Sequence, residues 1–115
     1  MKAIGIDGDP VLIGGEWFMR HDFTTGPADY GIAAGRFDLA WSCEFLEHVE
    51  ERFLPNVMEL FKRCGWAAVT AAPPGKGGHH HVNCQTSEYW IERFGEAGLE
   101  YQSDMTMEMR RQSTM

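Results

Sequence analysis

The stretch Phe37 to Glu51, FDLAWSCEFLEHVEE, decides how the rest of the chain is read. Its first seven residues, 37 to 43, form a short, mostly apolar run that reads as a strand. From Glu44 to Glu51 the chain turns over into helix-forming residues. Phe53, Val57, Leu60 and Phe61 then recur at helical spacing, which predicts a helix from about Leu54 to Arg63. Pro55 suits the first turn of that helix, and Gly65 stands where a helix stop is expected. A second strand follows at Trp66 to Ala72 and closes at Pro73-Pro74-Gly75. Strand, helix and strand in this order are the mark of a parallel crossover unit.

Reading upstream, Ala3 to Ile6 is a short strand that stops at Asp7-Gly8-Asp9-Pro10, and Val11 to Gly15 is a connector. Glu16 to Arg20 reads as another strand, ending at His21-Asp22. Thr24 to Gly35 is loop-like, with a short helical turn near Asp29 to Ala34. Reading downstream, Thr86 or Ser87 caps a helix that runs to about Ala97 and stops at Gly98. Tyr89, Trp90, Ile91 and Phe94 form its apolar face. Leu99 to Met107 alternates loosely and is read as a final strand, with a frayed tail from Met109 to Met115. The fold class expected is α/β with a largely parallel sheet.

Composition narrows the function classes. The 115 residues suffice for one domain, with no repeat or linker. Hydrophobic residues make up 43%, and four Trp, seven Phe and seven Met give a core its bulk. The four tryptophans, Trp17, Trp41, Trp66 and Trp90, are expected in that core. The net charge is −7 and the ten Lys and Arg are scattered, so no basic stripe exists to bind a nucleic-acid backbone. No apolar run approaches a membrane span, and MKAIGIDGDP lacks the apolar core of a signal peptide. Cys43, Cys64 and Cys84 have no CxxC spacing, which favours reduced thiols and a cytoplasmic location.

In parallel α/β sheets, ligands sit beyond the carboxyl ends of the strands. The residues in question are Asp7, Asp22, Cys43-Glu44 and the loop from Pro73 to Cys84. A carboxylate at Asp7 can accept from both hydroxyls of a ribose, or it can simply serve the DGDP turn. Asp22 can read the amino edge of an adenine with Phe23 beside the ring, or again serve a turn. His48, four residues after Glu44, is expected to share a helical face with it and is a catalytic candidate, with a structural role bonding to backbone as the alternative.

Taken together, these segments resemble the class I S-adenosylmethionine-dependent methyltransferases. The resemblance rests on Phe37-Asp38-Leu39 and on Leu46-Glu47-His48-Val49, which look like that family's fourth strand and the helix start after it. It extends to His81, Ser87, Tyr89 to Phe94 and Gly98-Leu99, and GIDGDP and HDFTTGP look like the second and third strand ends. It covers roughly residues 3 to 103. It implies a Rossmann-like methyltransferase sheet, mostly parallel with an antiparallel C-terminal strand. It implies S-adenosylmethionine as cofactor, held by Asp7, Gly8, Asp9, Asp22, Phe23, Cys43 and Glu44. The family's Gly-rich first motif is absent, so the first strand and its helix are expected to be missing. In the family that strand lies between the second and the fourth. Its loss leaves those two strands to pair directly, or leaves a slot that a second copy of the chain covers. Cofactor affinity and activity are expected to be reduced accordingly.

The stretch Gly75 to Cys84, GKGGHHHVNC, admits three readings. His79, His81 and Cys84 could supply ligands to a metal. A tag remnant is disfavoured by position and length. The preferred reading is a loop over the acceptor pocket, bent by its glycines, in which a neutral imidazole takes a proton. The resemblance points to His81 as that residue and to His80 and Asn83 as substrate contacts. No resident metal is expected. The function expected is methyl transfer to a small-molecule or sugar-like acceptor. The alternative is a non-catalytic module that self-associates through an incomplete sheet.

Overall fold

The structure is a computed structural model and describes residues 3–12, 14–29 and 36–113. It is an α/β arrangement of short parallel strands and helices. Strand β1 (Gly5–Asp7) pairs in parallel with β2 (Phe18–Arg20). Strand β3 (Phe37–Cys43) pairs in parallel with β4 (Cys64–Thr70). Between β3 and β4 come a 3-10 turn at Leu46–His48, another at Glu51–Phe53, and helix α1 (Leu54–Phe61). Helices α2 (Ser87–Glu96) and α3 (Ser103–Gln112) follow. Among the described residues the two strand pairs are separate two-stranded sheets.

Strand β3 occupies the expected span. Strand β4 begins at Cys64, two residues before the expected start. Gly65 makes that possible, because a Cβ there would stand 3.2 Å from the Asp38 carbonyl of the paired strand. Helix α1 carries Pro55 in its first turn, where the missing N–H costs nothing. It buries Leu54, Val57, Met58 and Phe61. With Leu46, Val49 and Trp90 these form the core, against which Ala40, Ala67 and Val69 of the sheet pack. Full burial of side chains such as Phe61 and Leu46 stabilises the fold by roughly 1.5–3 kcal/mol each.

Helix α2 starts where the sequence says. The Thr86 side chain accepts from the Tyr89 amide at 3.3 Å. Its end is a Schellman motif, with Leu99 N–H donating to Phe94 and Gly98 N–H to Gly95. Gly98 provides the left-handed residue that this motif requires, at φ 88°.

Two expectations fail. The antiparallel C-terminal strand is not formed; residues 103 to 112 are helix α3 instead. Met, Glu, Arg and Gln are good helix formers, and Glu108 binds both Arg111 and Gln112 one turn on. The loose alternation of apolar residues had no neighbouring strand to pair with. The tryptophans are also not all core. Trp90 is buried, but Trp17, Trp41 and Trp66 are exposed. Trp41 and Trp66 share an exposed face of β3–β4. The turn expected near residues 29–34 falls largely on 30–35, outside the described residues.

Candidate functional site

Each of the four strands sends the residues that follow its carboxyl end toward one cavity. Gly8 follows β1, and His21, Asp22, Phe23 and Thr24 follow β2. Phe45, His48, Val49, Glu50 and Phe53 follow β3, and His80 lies on the long loop after β4. The cavity measures about 180 Å³. Drug-sized pockets run to roughly 300–1,000 Å³, so this one takes part of a larger ligand. A bigger hollow of about 490 Å³, lined by Ile4, Leu12, Phe18 and Met19, lies along β2 instead. It touches none of the strand-end residues apart from Arg20, whose guanidinium donates to the Pro10 carbonyl.

The wall after β2 is held by its own hydrogen bonds. The Asp22 carboxylate accepts from the Thr24 amide at 2.9 Å and the Thr24 hydroxyl at 2.7 Å. The hydroxyl bond, then the amide bond, draw its pKa below the ordinary carboxylate value, so Asp22 carries its charge throughout the neutral range. His21 Nε2–H donates to the Gly26 carbonyl at 2.8 Å, and its ring meets Phe23 edge-on at 4.8 Å. Phe23 packs on the core and stands 6.2 Å from the Phe45 ring. Asn56 on α1 donates to the Phe23 carbonyl at 2.8 Å, fixing this loop to the helix. Asn56 was not legible as a site residue, because nothing in its local pattern indicates a partner 33 residues away. Gly8 is placed for close approach. A Cβ there would sit 3.2 Å from the His21 carbonyl, so the ends of β1 and β2 meet only with glycine or after a shift.

The other expected cofactor residues are placed differently. Asp7 is exposed, and its carboxylate accepts from the Asp9 amide at 2.9 Å; Asp9 does the same for Val11. Both therefore make local turns, and neither lines the cavity. Cys43 and Glu44 end β3 against β4. The Thr70 hydroxyl donates to the Cys43 sulfur, and the Glu44 amide donates to the Thr70 carbonyl. Glu44 adopts φ 49° and precedes the 3-10 turn, so it shares no helical face with His48.

The histidines are brought together. His48 Nδ1–H donates to the His80 carbonyl at 3.1 Å, and His80 itself is left-handed at φ 56°. His81 Nδ1–H donates to the Lys76 carbonyl at 3.3 Å. The His48 and His81 rings meet edge-on at 4.8 Å. His81 thus sits edge-on beside His48 but off the cavity, whose wall includes His21, His48 and His80. Asn83 is buried, with its side-chain oxygen accepting from Gln85 at 2.8 Å. Glu47, to which the sequence reading gave no role, is completely buried between Leu46 and His48. Its backbone carbonyl accepts from both Val82 and Asn83, which locks the histidine loop to the 3-10 turn. No disulfide joins the three cysteines, and burial pushes the Cys64 thiol above its ordinary pKa.

No helix among the described residues is long and apolar enough to cross a membrane. Comparison of the chain with protein-family models, curated proteins and solved structures finds no match.

Proposed function

We propose that the chain is a Rossmann-like methyltransferase domain, acting in the cytoplasm, that holds the nucleoside half of S-adenosylmethionine in the strand-end cavity. The observation that carries this reading is the convergence of residues from all four strand ends, Gly8, Asp22, Phe23, Phe45, His48 and His80, on one hollow. This is where a parallel α/β fold binds ligands. Phe23 and Phe45 offer aromatic surface to a base, and the ionised Asp22 offers an acceptor to its amino group. The chain holds no GxGxG turn, the feature that approaches the methionine half in the family it resembles, so this reading carries reduced affinity. The methyl group on a sulfonium is already activated, so orientation and exclusion of water supply most of the rate. His48, at the cavity wall, offers its Nε2 to a proton from a small hydroxylated acceptor so long as no other group occupies that nitrogen.

Calorimetric titration with S-adenosylhomocysteine tests this. Saturable heat is expected from the native chain. Phe23→Ala should weaken binding about tenfold or more, since stacking of a base on an aromatic ring contributes about 1–3 kcal/mol. Absence of heat from the native chain would contradict the reading.

A second reading has its own observation. Leu39, Trp41 and Trp66 are 55%, 58% and 53% exposed. Leu39 and Trp66 are register partners, and Trp41 lies two residues along from Leu39, so all three share one face of β3–β4. An apolar sheet face of this kind suits self-association, and a second copy of the chain is its simplest complement.

A further inference from the structure

We propose that Glu47, His48 and His81 form a binding site for a first-row divalent transition-metal ion. One ligand atom from each of these residues lies within 4.8 Å of the others. Three donors on a tetrahedral ion with bonds of about 2.1 Å stand about 3.4 Å apart, so closure needs side-chain adjustments of about 1 Å.

Glu47 is the decisive residue. It has no exposed surface, and neither carboxylate oxygen has a hydrogen-bond partner. An ionised carboxylate withdrawn from water is unfavourable by several kcal/mol unless a counter-charge meets it. Among the described residues, none of the salt bridges formed by lysine or arginine involves Glu47. A cation between Glu47 and the two imidazoles supplies the missing charge.

The histidines are set up as ligands. Each Nδ1 faces a backbone carbonyl, His80 for His48 and Lys76 for His81. A carbonyl only accepts, so each proton sits on Nδ1 and each Nε2 keeps its lone pair. This is the usual arrangement of metal-binding histidine, with the second nitrogen bonded to fix tautomer and ring orientation. The scaffold is also fixed in advance. Val82 and Asn83 both donate to the Glu47 carbonyl, which ties the segment after His81 to the turn bearing the other two ligands. Gly78 leaves room for the His81 ring; a Cβ there would come within 2.4–2.7 Å of its atoms.

The donor set selects the ion. Two imidazoles and one carboxylate suit zinc, iron, cobalt or nickel, whereas calcium and magnesium take oxygen ligands. Three protein donors leave coordination positions for water or a ligand. The site stands on these contacts whether or not the cavity takes a nucleoside.

The test uses the full chain, stripped with a chelator, and titrated with Zn²⁺ by calorimetry and with Co²⁺ by visible absorption. One equivalent should bind, raise the melting temperature, and give Co²⁺ ligand-field bands. Glu47→Gln and His48→Ala should each weaken binding by about 100-fold or more, beyond the effect usual for outer-shell partners. His79→Ala should leave it unchanged, because His79 is outside the cluster. The metal-free Glu47→Gln protein should melt no lower than the metal-free native protein, since an uncompensated carboxylate is gone. Should that variant fail to fold, His48→Ala and His81→Ala, at partly exposed positions, carry the test. Native-like affinity in both would overturn the proposal. So would absence of binding to the native chain, or affinity that follows His79 and so reports only a histidine run on the surface.

Discussion

The side-chain amide of Asn56 donates to the main-chain carbonyl of Phe23 at 2.8 Å, joining helix α1 to the loop after β2. Among the described residues no strand hydrogen bond joins the β1–β2 pair to β3–β4, and this bond and the packing of Phe23 on the core link the two halves of the cavity. Asn56→Ala should cost about 1 kcal/mol, the net worth of a partly buried hydrogen bond. It should also lower affinity for S-adenosylhomocysteine, because Phe23 loses its anchor. Thermal melts and calorimetry of the variant check both effects. An unchanged affinity would show that the loop is held by other means.

Gly78→Ala removes no donor from the metal cluster but forces the His81 ring to move. Zn²⁺ affinity should fall about 10- to 100-fold, as when a supporting contact to a ligand is lost. The melting temperature of the metal-free protein should change little. Equal affinity in Gly78→Ala and the native chain would mean the ring is not held where the structure places it.

The uncovered face of β3–β4 should make association depend on concentration. Trp41→Lys places a charge at the centre of that face and should shift sedimentation toward monomer, with the melting temperature of the monomer nearly unchanged. A native chain that stays monomeric at high concentration would remove the self-association reading.

Tyr89 on α2 donates its hydroxyl to Glu51 at 2.8 Å. Burial first, then that bond and the Glu51 charge, raise the Tyr89 pKa above its ordinary value near 10. The folded state therefore keeps the phenol proton more tightly than the unfolded chain. The corresponding stability is complete below about pH 10 and is lost as pH rises through the folded value. Tyr89→Phe should flatten the alkaline limb of a stability-against-pH curve and leave the neutral region lowered by the lost hydrogen bond. An alkaline limb of unchanged slope in Tyr89→Phe would assign it to other groups.

The elements that the sequence made legible are those whose boundaries carry their own chemistry. Strand β3 occupies its expected span, and α2 runs from the Thr86 cap to the Gly98 stop because those two residues close the helix ends locally. Residues 99 to 107 misled because alternation was judged without a partner strand, and helical propensity with (i, i+3) and (i, i+4) pairs decides there instead. The strand-end principle brought Asp22, Phe23, His48 and His80 to one cavity, but Asp7 and Asp9 are used up by their own turn. Glu47 was invisible as a site residue. A glutamate between Leu46 and His48, with Glu50 and Glu51 just after, gives no local sign of burial, and the packing of Leu46 and Val49 on the core draws it inside. Neither Asn56 nor the orphaned Glu47 carboxylate has a signature within its own element, since both depend on contacts made by tertiary packing.

The central claim is that the carboxyl ends of all four strands share one nucleoside-binding hollow. It is tested most directly by mapping amide chemical-shift changes in the full chain on addition of S-adenosylhomocysteine. The account predicts saturable changes concentrated at Gly8, Asp22 to Thr24, Phe45 and His48. Saturable changes confined to Ile4, Leu12 and Phe18 along the β2 hollow, or no saturable change anywhere, would contradict it.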